Sequence, residues 1–271
     1  MPGLKVRGPK AALAFVDDVG FCSTFYRFPE GVPCLWEAVA GRAAPRWPRH
    51  SHHDAAVGLT WRLKDGLPAT RGVYYGKLVR GRPCLVALDL FPAFYALVRG
   101  RQRAADYRME YEAGRLTLSG RRIMDTLTAE HPQYTRSLRA SAFMLEARQT
   151  REFERAMAEL QQGLWIVKTE ERYEPSFSYR WDLLEAWLPA AVSAGRRLAR
   201  PVAAVRLVER YARAAVFTRP AVLRRMFGLS DAEVSDAVGT LAARGTLVDT
   251  PVQGWPGRWL VHRASIDSRR G

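Results

Sequence analysis

The hydrophobic pattern of the chain changes character near residue 118. Before that point short apolar runs ("LAFVDDVGFC", "CLWEAVAGR", "VYYGKLVRG", "CLVALDLFPAFYALV") are punctuated by Pro and Gly. Such punctuation predicts a mixed α+β region with at least one hairpin, around Gly66–Pro68 or Arg80–Pro83. Residues 100–115 are polar and read as a connector with a short edge element. Beyond 118 the apolar positions take helical spacing. Ser119 is placed to cap "GRRIMDTLTAEH", which Pro132 ends, and Thr135 to cap a short helix through Ala142. Thr150 opens "REFERAMAELQQG", where Phe153, Met157 and Leu160 fall at i, i+4 and i+7 and Gly163 closes the helix. "LWIVKTEE" and "FSYRWDLLEAW" then alternate as two strands about a polar turn.

Helix, helix, helix, hairpin is the winged-helix order, and it recurs. "VAAVRLVERYARAA" supplies a first helix, Thr218 is placed to cap "RPAVLRRMFG", Ser230 caps "DAEVSDAVGTLAARG", and "TLVDTPVQGWPGRWLVHR" reads as a wing. The two third helices match in register, Phe153, Ala156, Met157 and Leu160 against Val234, Ala237, Val238 and Leu241. The expected fold is therefore α+β: a mixed α/β region with a basic hairpin over 1–102, then tandem winged-helix modules. These fall at 103–188 and 205–271, with "PAAVSAGRRLARPVAA" (189–204) as linker.

Charge adds direction. A net +15 favours an anionic partner, and nucleic acid comes ahead of membrane because no basic amphipathic helix stands out. Only five of the 42 basic residues are Lys, so coding bias toward Arg accounts for part of the excess. No apolar run has membrane-spanning length, and the N-terminal stretch lacks a leader pattern. Three cysteines without a CxxC suit a reduced cytoplasmic protein, nucleoid-associated if it binds DNA. In a helix-turn-helix derivative the third helix enters the groove, while wings and helix N-termini meet phosphate. The first copy offers Arg148, Arg151 and Arg155 there, among Glu152, Glu154 and Glu159. The second offers Asp231, Glu233, Ser235 and Asp236 and reads as scaffold, leaving Arg219, Arg224 and Arg225 as better phosphate contacts.

Candidate chemistry is sparse. "HSHHD" (His50, His52, His53, Asp54) has metal-binding residue types, but adjacent His rarely share one metal and a loop is the plainer reading. No phosphate loop, GxSxG or zinc-protease signature is present, so a nucleotide cofactor and ester hydrolysis lack support. Cys22 and Cys84 read as inert core thiols. Asp17 and Asp18 end the first helix, Glu37 lies in "CLWEAV" and Asp65 in a basic segment; each also has a plain capping or ion-pairing reading.

The residues "VGFC", "LWEAVAGR", "LTWRLKDGLPATRGVYYGKLVRGRP", "FERAMAELQQGLWIV", "YRWDLLEAWLP" and "FTRPAVLRRMFGLSDAEV" resemble the bacterial DNA glycosylases that unhook interstrand crosslinks, the AlkZ/YcaQ type. The likeness is closest to a branch of shorter relatives. It implies a winged-helix protein that wraps duplex DNA, hydrolysis of an N-glycosidic bond at alkylated purines, a hairpin beside the lesion, and no metal or cofactor. The family's activity rests on a Gln-x-Gln or Gln-x-Asp pair after the first helix; here that place reads "DDVGFCSTF".

Two expectations follow. One is a monomeric DNA-repair protein acting on alkylated or crosslinked duplex DNA, with Asp65, Asp18 or Asp17 supplying the carboxylate. Its DNA contacts would be Arg62, Lys64, Arg71, Tyr74, Tyr75, Lys77, Arg80 and Arg82, with Arg148, Arg151 and Arg155. The alternative is a non-catalytic winged-helix DNA-binding protein or transcription regulator. A protein-interaction scaffold with Arg from coding bias is the third.

Overall fold

The computed structural model describes residues 5–267. Its first unit runs α1 (Pro9–Val19), β1 (Phe21–Ser23), α2 (Leu35–Ala40), α3 (Ala55–Ala69), β2 (Val73–Val79) and β3 (Arg82–Ala87). Two connecting helices follow, α4 (Phe91–Val98) and α5 (Tyr107–Glu112). The second unit comprises α6 (Leu118–Ala129), β4 (Gln133–Tyr134), α7 (Thr135–Ser141), α8 (Thr150–Gln162), β5 (Ile166–Arg172) and β6 (Ser178–Leu183). After α9 (Leu184–Trp187) and α10 (Pro189–Arg197), the third has α11 (Arg200–Ala215), β7 (Phe217–Thr218), α12 (Pro220–Phe227), α13 (Asp231–Ala243), β8 (Leu247–Val252) and β9 (Trp255–His262). A short α14 (Arg263–Asp267) ends the described chain.

The order helix, strand, helix, helix, strand, strand thus occurs three times, where the sequence pattern showed two. In each unit the last strand lies between the other two: β1-β3-β2, β4-β6-β5 and β7-β9-β8, all antiparallel. No helix among the described residues is long and apolar enough to cross a membrane.

Local chemistry explains where the elements start and stop, and corrects several expectations. Asp54 caps α3 by accepting the Val57 N–H at 2.8 Å. Gly66–Pro68 therefore lies in the last turns of a helix, not in a hairpin, and Val57, Thr60, Leu63, Lys64 and Leu67 form its buried stripe. The hairpin is at the second expected place. Arg80 and Gly81 both take positive φ (50° and 68°), the two-residue turn whose twist matches the strands. Thr117, not Ser119, caps α6, accepting the Gly120 N–H at 3.1 Å. Thr135 and Thr150 are first helical residues rather than caps, and Thr218 ends β7. Ser230 caps α13 as expected, in a reciprocal box with Glu233. The 100–115 stretch forms α5, anchored by buried Tyr107, rather than an edge strand.

Residues 189–204, expected as a linker, are α10 and the start of α11 and pack on α4. Their small residues serve contact: a Cβ on Gly195 would fall 2.8 Å from Tyr95 Cβ. The largest core is continuous from unit one (Phe21, Tyr74, Val86) through α4 into unit three (Leu207, Leu223, Leu241, Leu260). Unit two has its own core around Ile123, Met124, Leu138 and Leu160.

Candidate nucleic-acid cavity

Between the β2–β3 hairpin of unit one and the α7, α8, β5 and β6 face of unit two lies a cavity of about 480 Å³. Its rings are Tyr75, Phe153, Tyr179 and Trp181; Lys77, Arg139, Glu154, Gln161 and Lys168 bring polar groups. Strand alternation aims Tyr75 and Lys77 at it and sends Tyr74 to the other face. Tyr74 is 1% exposed and stacks on Phe91 with centroids 4.5 Å apart, so it cannot stack on a base.

Behind the cavity wall two lysines and two carboxylates interlock. The Lys168 ammonium lies 4.7 Å from the Tyr75 ring centre and 4.9 Å from that of Tyr179, and donates to Glu171. Lys64 donates to Glu171 at 2.8 Å and also to Asp65. The Tyr173 hydroxyl lies 3.1 Å from both Asp65 Oδ2 and Glu171 Oε2, so it donates to one at a time. Burial opposes charge on Glu171, but its bonds to Lys168 and Lys64 override this and hold the carboxyl down to about 2. Burial raises Asp65 against the pull of Lys64, and burial lowers the Lys168 ammonium. Lys64 is raised because its two carboxylate bonds outweigh its burial.

The basic segment therefore divides. Lys64 and Asp65 belong to the network on α3, with Arg62 exposed on the same helix and Lys77 in the cavity. Arg80 instead pairs with buried Glu30 at 2.5 Å, and Arg82 lies over Tyr26. Arg71 sits over Trp187. On unit two, Arg148 pairs with Glu146, whereas exposed Arg151 and Arg155 have no such partner among the described residues. Asp17 and Asp18 are away from the cavity: the Asp17 carbonyl accepts from Arg210, and Asp18 pairs with Arg213 at 2.9 Å. Burial and the Asp89 charge raise Asp17. Both residues join α1 to α11.

The unit-three arginines read as phosphate contacts also have partners within the protein. Arg219 lies over Trp259, Arg224 pairs with Asp231 and Arg225 with Glu30. The His50–Asp54 stretch holds no metal-binding grouping among the described residues, and Asp54 serves as a cap. Cys22 and Cys84 are buried, with burial pushing their thiols up, as core thiols should be.

A family model described as AlkZ related matches residues 6–228. The chain belongs to the AlkZ-related family. Among solved structures, the Streptomyces sahachiroi DNA glycosylase AlkZ is similar, with a TM-score of 0.61 and 13% identity over 99% of this chain and 68% of that one. At that identity the likeness is one of fold. Comparison with curated proteins finds no match. Within this AlkZ-related chain, β1 reads Phe21-Cys22-Ser23 and is wholly buried, so the place expected for a glutamine pair holds core residues.

Sequence reasoning missed the unit-two half of the site: Glu154, Lys168, Glu171, Tyr173 and Tyr179. Glu154 is exposed, as the helix pattern predicts, but it also lines the cavity and makes no hydrogen bond or ion pair among the described residues. One signal was present. Lysine is rare here, and three of the five converge, Lys64, Lys77 and Lys168.

Proposed function

We propose that this protein is a DNA-repair glycosylase-like hydrolase that seats a damaged base in the cavity between units one and two. The observation that carries the reading is that cavity: its volume of about 480 Å³ suits a small ligand, and it has aromatic walls and an unpaired carboxylate. Its place in an AlkZ-related chain of net charge +15 adds weight. Enzymes acting on a base extrude it from the duplex and read it between aromatic side chains. Tyr75, Tyr179 and Trp181 supply those faces, and the three repeated units are read as winged helices laid along the duplex.

Glu154 is the water-orienting base in this reading, and Asp65 stands in the lysine–carboxylate network behind the Tyr75 wall. Water adds its oxygen to C1′ while Glu154 takes the proton, and the bond from C1′ to the base nitrogen breaks. An N7-alkylguanine is cationic in the nucleotide, so it leaves neutral without further protonation. The partner is duplex DNA, met by a cytoplasmic monomer without a nucleotide cofactor.

The test is release of base from duplexes bearing N7-alkylguanine or an interstrand crosslink. Glu154→Gln is expected to slow release by about 100-fold or more while leaving duplex affinity nearly unchanged, and Asp65→Asn to slow it less. Lesion-independent binding without release by the unaltered protein would overturn the enzyme reading. That result would favour a non-catalytic duplex binder, which the engagement of Asp65 and Glu171 with lysines also suits.

A further inference from the structure

The turn joining α7 to α8 carries a side chain that neither the cavity nor the core uses. Phe143 is 85% exposed and holds a φ of 56°. Its N–H donates to Ala140 O at 3.0 Å, and the Met144 N–H donates to Arg139 O at 2.7 Å. These paired bonds end a helix on a left-handed residue, a position that glycine normally fills. A phenylalanine there bears backbone strain, and at this exposure the ring returns no burial. Strain without a packing return points to a role outside the fold.

The turn is also held in place. Arg139 donates from Nε to Met144 O at 2.8 Å, and from Nη2 to Glu146 O at 3.2 Å and Thr150 Oγ1 at 3.1 Å. Gln149 donates to Phe143 O at 3.1 Å, and Met144 is fully buried. Leu145 stands beside Phe143, 55% exposed. Arg139 and Thr150 line the cavity, so the turn forms part of its rim. Between 136 and 155 there are five Arg against three Glu, and Arg136, Arg151 and Arg155 lack a carboxylate partner among the described residues. This is an apolar tip in a setting suited to phosphate.

We propose that Phe143, with Leu145 beside it, is a wedge that enters the base stack of duplex DNA next to the nucleotide drawn into the cavity. The proposal rests on the reading that the cavity receives a base. Extruding a nucleotide opens a gap in the stack, and a flat apolar ring restores the lost contact; Phe and Leu serve as such wedges where proteins unstack a base step. A pre-ordered tip fits this role, because little freedom remains to be lost on insertion.

The experiment uses the full chain and two duplexes, one intact and one with a single abasic site flanked by 2-aminopurine. Affinity is read by anisotropy and unstacking by 2-aminopurine fluorescence. The unaltered protein is expected to prefer the abasic duplex and raise its fluorescence. Phe143→Gly should lose about 10-fold or more of that preference, together with the fluorescence rise, yet bind intact duplex within about 3-fold. Its Tm should equal or exceed the original, because glycine suits the left-handed position; Phe143→Trp should keep the preference. Unchanged preference and fluorescence in Phe143→Gly, or equal loss on both duplexes with a lowered Tm, would overturn the wedge and leave the cavity reading standing. An unaltered protein that binds neither duplex at about 0.15 M salt would overturn both.

Discussion

Lys168 presents one ammonium to a carboxylate and two tyrosine rings, and Lys64 presents its own to two carboxylates, so each charge of the network is held by its neighbours. Glu171 is the hinge of this set. Its carboxyl is depressed from 4.5 to about 2, so its contribution to stability is fully present above 4.5 and is lost as pH falls through about 2. Glu171→Gln is expected to lower Tm at pH 7 and to flatten the fall of Tm between about pH 4.5 and 2, measured by thermal scans across that range. Only half of this was legible in the sequence. Lys64 and Asp65 stood out as a basic segment with one acid, but their partners are over a hundred positions away, and no local pattern reports such a distance. Tyr74 and Tyr75 looked equivalent; only the pleat decides which one meets the cavity and which stacks on Phe91.

Among elements, α10 shows how composition misleads. Pro, Ala, Ser and Gly in sequence read as a flexible connector, yet here small side chains let α10 lie against α4. A methyl at Gly195 would sit 2.8 Å from both Tyr95 Cβ and Cδ1. Gly195→Ala is therefore expected to destabilise by about 1–3 kcal/mol, and Gly195→Ala with Tyr95→Leu by less than the single changes sum to, measured by denaturant unfolding. The two later repeats were legible because their helices carry clean amphipathic periods. The first was hidden because 31 residues separate β1 from α3, holding the short α2, a Pro-rich, Trp-bearing loop and a single 3-10 turn at Ser51–His53. Its hairpin could be narrowed to two places, and the left-handed Arg80–Gly81 pair selects between them.

In the whole molecule, the repeats do not coincide with the cores. One side of unit one shares an interior with unit three, while its α1–α3 side and unit two each keep a core mostly their own. Leu207→Ala should cost about 2–5 kcal/mol and weaken protection of 73–87 and 220–262 together; Leu127→Ala should act on 118–162 alone. Hydrogen exchange resolved by peptide checks both, and equal loss everywhere would mean one cooperative block. Residue 228, where the family match ends, is an exposed glycine in the turn after α12, between Met226 and Leu229 of this shared interior.

That shared interior also sets an order of events on the ribosome. Phe21 packs on Phe94, Tyr211 and Phe227, so two of its three aromatic neighbours are made some two hundred residues later. At about 5–20 residues per second, the 120 residues from Phe91 to Tyr211 take roughly 6–24 s to synthesise, during which unit one presents an open apolar face. A chaperone would meet the nascent chain in that interval, while the separate clusters of unit one (Val16, Leu35, Leu63, Leu85) and of unit two need no residue later than their own units to close.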